Sequence, residues 1–249
     1  MRADSSGLTE QKLIRGWPSG TAGVKIRLAT ARDTPAIAEL APAAGIELTP
    51  AMADAIRAGV MGRAHRAGRA RGREHGQPGF SRAVAQAFTD QGPDQAFAAA
   101  SLVLVAEHRE HGVVGTVIAL PPPNVTEQFM THAERMNAAA PEVRKLMLVG
   151  ILGLAKVAVL AVAEAHQGSG LGAALLSRIK KIFFAHGYVF VYGQIRPDRP
   201  DLAAFYQRQG FHVQEPDEGL DLWVVFGIPG GIQPDQGERF FVRTRPREG

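Results

Sequence analysis

The chain has 249 residues, 45% hydrophobic and 21% charged, with a formal net charge of +4 and no cysteine. That composition is globular, so a wholly disordered or collagen-like chain is excluded, as are disulfide scaffolds, thiol nucleophiles and cysteine-bound zinc. Of the 28 Lys+Arg, six arginines (Arg57, Arg63, Arg66, Arg69, Arg71 and Arg73) crowd into residues 57–75 against Glu74 alone. The 24 Asp+Glu leave the rest of the chain close to neutral, and a protein-wide nucleic-acid surface is not supported.

In chain order, residues 1–22 read as a flexible arm without the apolar run of a signal peptide. Residues 24–28 (VKIRL) read as a strand, after which Thr30 or Asp33 caps a helix with Pro35 in its first turn. Residues 50–75 begin with Met52, Ile56, Val60 and Met61 at helical spacing and dissolve into the Arg/Gly run. A loop over 72–80 and a helix over 81–88 follow. Residues 102–107 (LVLVAE) and 113–120 (VVGTVIAL) form a hairpin around HREHG, closed by prolines 121–123. Residues 125–153 read as largely helical, interrupted near Pro141.

Residues 146–163 form an apolar run with one charge, Lys156, just long enough to span a bilayer. A mid-span lysine costs about 2.5–3.5 kcal/mol. Gly150 and Gly153 also break the run, and its second half alternates and is rich in valine. It reads as a helix end followed by a core strand over 157–162, not as a membrane span. A helix over 171–184 carries Leu171, Leu175, Ile179, Ile182 and Phe183 along one stripe. A strand over 188–192 and a helix over 201–209 come next, with Gly210 where a left-handed residue ends the helix. Final strands are read over 222–226 and 240–242. Hairpins early and a βαβ unit late imply an α/β chain with mixed strand pairing, without repeats or a strong domain break.

Between the 157–162 strand and the 171–184 helix lies EAHQGSGLGAALL, in which Gln167, Gly170 and Gly172 fit Q/R-x-x-G-x-G/A. The pattern alone is weak, but its place is informative. The first amides of a helix have no internal acceptors, glycine lets a ligand approach the backbone, and the helix dipole favours an anion. A pyrophosphate fits such a turn. A Rossmann site is disfavoured, because Ala173 stands where a third glycine is wanted and the next strand ends VYGQ without an acidic residue. No G-K-S/T follows, which excludes a Walker loop.

With these residues on the page, the chain resembles the GNAT-type N-acetyltransferase superfamily over about residues 24–226. VAVLAVAEAHQGSGLGAALL looks like its acetyl-CoA motif, and DLAAFYQRQGF carries its F-Y-x-x-x-G-F in Phe205, Tyr206, Gly210 and Phe211. The resemblance implies a single α/β (α+β) GNAT-like domain over 23–249. Its central sheet would be mixed and mostly antiparallel, flanked by helices, with a parallel, splayed pair at the cofactor site. Residues 45–100 and 124–150 exceed the minimal fold and would be helical or loop insertions walling the acceptor site.

The resemblance also implies roles. The backbone of Leu160 and Val162 would pair with the pantetheine arm, and the amides of Gln167, Gly168, Ser169, Gly170, Leu171 and Gly172 would hold the pyrophosphate of acetyl-CoA. Tyr206 would protonate the departing thiolate, a step suited to a phenol of ordinary pKa near 10. Three positions depart from the family's pattern and blur the pantetheine pocket: Arg199 where an asparagine is frequent, Leu202 where a small residue is, and Glu164 where a proline is.

The general base is the gap. The 157–162 strand carries no carboxylate, and the candidates are Glu107, Glu164, His108, His111 or a water chain; Glu107 alternates with apolar neighbours and is taken as the candidate base. No His/Asp/Glu grouping has metal-ligand spacing. The leading expectation is a cytoplasmic N-acetyltransferase using acetyl-CoA, without a metal, on a primary amine of a small molecule or peptide. A non-catalytic acyl-CoA sensor on the same fold, and acetylation of an RNA-bound substrate gripped by residues 57–75, stay open. That segment has no aromatic residue for base stacking, so a solvated helix end is favoured over a nucleic-acid contact. A homodimer is compatible with the sequence, which does not show one.

Overall fold

The computed structural model describes residues 8–69, 76–122, 125, 151–222 and 231–246. The chain divides into two compact units, residues 1–120 with 157–187, and residues 121–156 with 188–249. Pairing is mostly antiparallel with one parallel pair, as expected of the mixed α/β class.

The first unit opens with a helix inside the expected flexible arm. In α1 (Glu10–Arg15) Thr9 accepts from the Lys12 amide, Gly16 ends the helix at φ 88°, and Leu8 and Leu13 are buried. Six residues are too few to show a hydrophobic period, so this helix owes its order to packing on the rest of the unit. Strand β1 (Trp17–Pro18) pairs with β2 (Val24–Leu28), β2 with β3 (Leu102–His108), and β3 with β4 (Gly112–Leu120), all antiparallel. The β3/β4 hairpin is the one read from the sequence.

A 3-10 turn over Ala31–Asp33 leads into α2 (Thr34–Leu40), and α3 (Pro50–Arg57) and α4 (Arg63–Ala67) follow. Helix α5 (Gln77–Gln91) starts inside the expected 72–80 loop, and α6 (Pro93–Ala100) falls within the expected 45–100 insertion, where the sequence marks no separate helix. Both have proline in the first turn, where its missing amide costs nothing. Gly-Pro punctuation marks a helix start as readily as a break.

Alternation along β3 splits the core. Val103 and Val105 join Ile118 and Leu120 of β4, Ile37 of α2, Ile56 of α3, and Val159 and Ala161 further along. Helix α7 (Leu171–Ala185) packs on β3 and β4, burying the expected stripe Leu171, Leu175, Ile179, Ile182 and Phe183. Each such side chain contributes about 1.5–3 kcal/mol. Gly115 permits the approach, since a Cβ there would lie 3.2 Å from the Ala161 carbonyl oxygen and 3.4 Å from Leu175.

A buried polar chain ties the end of α7 to α4. His65 Nε2 lies 2.8 Å from the Ala100 carbonyl, His65 Nδ1 3.0 Å from His186 Nδ1, and Arg69 Nε donates to His186 Nε2 at 3.2 Å. The carbonyl can only accept, so His65 is protonated at Nε2. His186 then donates from Nδ1 and accepts from Arg69. Every bond is made with both rings neutral, and an added proton on either would set two N–H groups face to face. Burial pushes the His65 imidazole down to about 3.

In the second unit the first residues of β5 (Leu154–Val162) pair in parallel with β6 (Phe190–Ile195), from Leu154 against Phe190 to Lys156 against Tyr192. Strand β6 pairs with β10 (Arg239–Thr244), and β10 with β7 (His212–Val213), both antiparallel. Strands β8 (Leu220–Asp221) and β9 (Gly231–Ile232) form a separate ladder. Helix α8 (Leu202–Arg208) ends at Gly210 with φ 78°, as expected of that glycine. The core gathers Val125, Leu154, Tyr192, Leu222, Ile232 and Phe240. The expected strand 188–192 begins at Phe190, with Tyr188 donating to the Ile151 carbonyl at 2.9 Å. Of the expected 125–153 helix only Val125 and 151–153 are described, and of the 222–226 strand only Leu222; the rest of both readings lies outside the described residues. No described helix is long and apolar enough to cross a membrane.

Candidate functional site

The glycine turn of the first unit sits between β5 and α7. Strand β5 alternates, with Val157, Val159 and Ala161 buried and Leu160 and Val162 half-buried. A 3-10 turn over Glu164–His166 then lifts the chain into residues 167–170, all exposed. Gly168 and Gly170 take φ of 72° and 84°, and a Cβ on either would meet no protein atom within 4 Å. These glycines are demanded by backbone conformation, and the space over them is open.

The amides of Gly168, Ser169 and Gly170 have no acceptor among the described residues. Leu171 and Gly172 add helix-start amides that lack internal partners. Helix α7 has Gly170 at its N-cap, no side-chain cap and no acidic residue in its first turn. The expected donor set narrows at one end. The Gln167 amide is spent on the Glu164 carbonyl at 3.1 Å, and its side chain donates to the Val162 carbonyl at 3.1 Å. Gln167 therefore braces the turn. Thr21 does the same from the N-terminal segment, its hydroxyl donating to the Ser169 carbonyl at 3.0 Å.

Glu107 lies in a charge cluster of the same unit. Arg27 binds it through Nε and Nη2 at 2.9 and 3.0 Å and binds Asp33 through Nη1 and Nη2 at 2.7 and 2.9 Å. Lys25, its cross-strand partner, and Arg32 reach Glu107 at 2.9 and 3.0 Å. The Arg27 guanidinium, helped by Lys25, holds the Glu107 carboxyl down at about 2. Asp33 also lies below its ordinary value, since Arg27 and Thr30 outweigh the cost of burial. A carboxylate so stabilised is a feeble proton acceptor. A bulge between Ala106 and Glu107, invisible to simple alternation, accompanies this placement.

The other base candidates are surface groups. His108 Nδ1 accepts the amides of Glu110 and His111 at 3.2 Å, His111 Nδ1 lies 3.0 Å from His166 Nε2, and Glu164 is exposed. No grouping of His, Asp and Glu suited to a metal occurs among the described residues. The arginines of 57–69 are partly engaged: Arg57 pairs with Asp54, Arg66 lies 3.6 Å from Glu10, and Arg69 is buried against His186. Arg71 and Arg73 lie outside the described residues. A cleft of about 440 Å³ between α2 and α3, lined by Ala31, Thr34, Pro35, Leu48, Pro50 and Arg57, shares no residue with the glycine turn.

Tyr206 belongs to the second unit. It is buried on α8, stacked on Phe241 at 3.6 Å between ring centroids and edge-on to Phe205 and Phe211. Burial raises its phenol above the ordinary value, so it carries its proton at neutral pH. Sequence reasoning missed a polar group on the other face of this sheet, formed by Lys156, Tyr192, Gln194 and Glu238. The signal for it in the sequence is Lys156, the lone charge in the apolar 146–163 run.

Residues 99–213 match the family model described as Acetyltransferase (GNAT) domain. No curated protein matches the chain. Among solved structures, the chain is similar to yncA of Salmonella typhimurium, assigned as an acetyltransferase and determined with its cofactor acetyl-CoA, at 16% identity, 91% and 96% coverage of the two chains and a TM-score of 0.46. A GNAT superfamily phosphinothricin acetyltransferase from Sinorhizobium meliloti, in complex with AcCoA, follows at 16% identity, 90% and 89% coverage and a TM-score of 0.45. The diaminobutyrate acetyltransferase EctA from Paenibacillus lautus, with diaminobutyric acid and coenzyme A, has 17% identity, 92% and 100% coverage and a TM-score of 0.44.

Proposed function

From the match of residues 99–213 to the GNAT acetyltransferase domain model, we propose that the chain moves an acetyl group from acetyl-CoA to a primary amine by direct transfer. The observation that carries this reading is the turn of Gly168, Ser169 and Gly170, whose amides have no acceptor among the described residues and front an uncapped helix. Such a turn suits a pyrophosphate on charge and on access. The half-buried Leu160 and Val162 would offer their backbone to the pantetheine arm. Acetyl-CoA supplies the activated thioester.

In this reading the amine nitrogen bonds to the acetyl carbon, the carbon–sulfur bond breaks, and Tyr206 gives its proton to the departing thiolate. The Tyr206 assignment rests on the F-Y-x-x-x-G-F resemblance and is supported by a phenol that burial keeps protonated. Glu107, locked among Arg27, Lys25 and Arg32, is assigned a structural role, and the amine proton leaves to water. That locked carboxylate favours one second reading, an acyl-CoA sensor without turnover. Calorimetric titration of acetyl-CoA followed by free-thiol release over an amine panel separates the two. Binding with thiol release supports the enzyme, binding without release over the panel supports the sensor, and no binding refutes both.

A further inference from the structure

On β10, Phe241 faces α8 and stacks on Tyr206, so Phe240 and Val242 face the opposite side of the second unit's sheet. Lys156, Tyr192 and Gln194 share that opposite face. Lys156 is the register partner of Tyr192 across the parallel pair, and Gln194 is the partner of Phe240 across the antiparallel one. Glu238 closes the group, accepting from Gln194 Nε2 at 2.6 Å.

Three features of this face are left unfinished by the protein. The Tyr192 ring packs in the apolar core against Phe240, yet its hydroxyl is buried with no hydrogen-bond partner among the described residues. Lys156 is half-buried in mid-strand and has no ion pair among the described residues; burial holds its ammonium below the ordinary value. Glu238 is held above the ordinary carboxylate value by burial and by Asp235, against a weaker opposing pull from Lys156. A face serving packing alone would be served better by phenylalanine at 192 and an aliphatic residue at 156, because an unmade hydrogen bond at a buried hydroxyl is costly. Among the described residues neither the hydroxyl nor the ammonium has an acceptor. Glu238 and Asp235 face Lys156 and, at longer range, Arg196, which Asp198 already pairs, so the group stays short of a cation. One ligand class answers both needs, a molecule that carries an amine and a carboxylate.

We propose that Lys156, Tyr192, Gln194 and Glu238 form the acceptor site for an amino acid, with Lys156 and the Tyr192 hydroxyl holding its carboxylate and Glu238, backed by Asp235, drawing its ammonium. This rests on the acetyltransferase reading for its role, though not for its chemistry.

The test titrates the intact chain, by ligand-observed NMR, with three amino acids and their decarboxylated counterparts: lysine and 1,5-diaminopentane, ornithine and putrescine, phenylalanine and phenethylamine. The wild type binds at least one amino acid about tenfold or more tightly than its counterpart. Lys156→Met and Tyr192→Phe each erase most of that preference, and both keep the wild-type affinity for acetyl-CoA, which also reports that they are folded. The same preference appears in kcat/KM for thiol release. Equal binding within all three pairs overturns the proposal, as does a preference that survives both substitutions. Tighter binding of the diamines also overturns it, by marking a cation site without carboxylate recognition. The titration needs no acetyl-CoA. A wild type that binds the amino acid but neither binds acetyl-CoA nor releases thiol refutes the acetyltransferase reading while the site stands.

Discussion

Gly170→Glu, set beside Gly170→Ala, separates charge from backbone geometry at the glycine turn. Gly170 sits at φ 84° and ψ 0°, the left-handed region, where any side chain costs about 1–2 kcal/mol. No protein atom lies within 4 Å of an added Cβ, so the Cβ that both substitutions share adds no clash. Both variants share the same strain, fold against a total stability of about 5–15 kcal/mol, and melt a few degrees below wild type. Only the glutamate brings a negative charge to the first amides of α7. At about 5 Å from a doubly charged pyrophosphate it repels by about 1.7 kcal/mol in water and about 7 kcal/mol at an effective dielectric of 20. Calorimetry should therefore show acetyl-CoA affinity lowered about fifteenfold or more in Gly170→Glu, and within about threefold of wild type in Gly170→Ala. Equal loss in both variants would mean that backbone geometry, not charge, was disturbed. Unchanged binding in Gly170→Glu would remove the phosphate from this turn altogether.

The remaining predictions concern protons. Unfolding by urea should show stability falling as pH drops from about 6.5 toward about 3, by about 1.4 kcal/mol per unit from His65 alone. The unfolded chain binds that proton below about 6.5 while the folded imidazole stays neutral down to about 3, so the stability is present above this window and lost on descending it. A flat profile over pH 6 to 4 would contradict the neutral His65–His186 chain. Glu107→Gln should destabilise by about 1–3 kcal/mol by leaving Arg27 short of a partner. It should leave the acidic limb of the kcat/KM–pH profile where it is in wild type, and a shifted limb would restore Glu107 as the base. Tyr206→Phe keeps the ring stacked on Phe241 and should change stability by less than about 1 kcal/mol, while thiol release falls about 100-fold or more. A loss under twofold would reduce Tyr206 to a packing residue.

The sequence by itself determined whatever depends on neighbours along the chain. The β3/β4 hairpin, the stripe of α7, the left-handed Gly210 and the glycine turn after an apolar strand are all set by periodicities and backbone preferences confined to a dozen residues. Hence the mixed α/β class and the turn's backbone conformation could be read before any coordinates. The tertiary structure decided what depends on partners distant in the chain. Leu8 and Leu13 order α1 only because a surface exists to bury them. Glu107 alternates like a cleft residue, yet Arg27, 80 positions away, takes it as a counter-ion and quenches its basicity. His65 and His186, 121 positions apart, exchange a hydrogen bond that no local pattern encodes. In the sequence, Lys156 in an apolar run only argues against a membrane span. Only the register that sets it beside Tyr192, and the turn before β10 that brings Glu238 to Gln194, places it in a polar group. Charge and hydrogen-bond energies depend on distance in space, which a linear chain does not state.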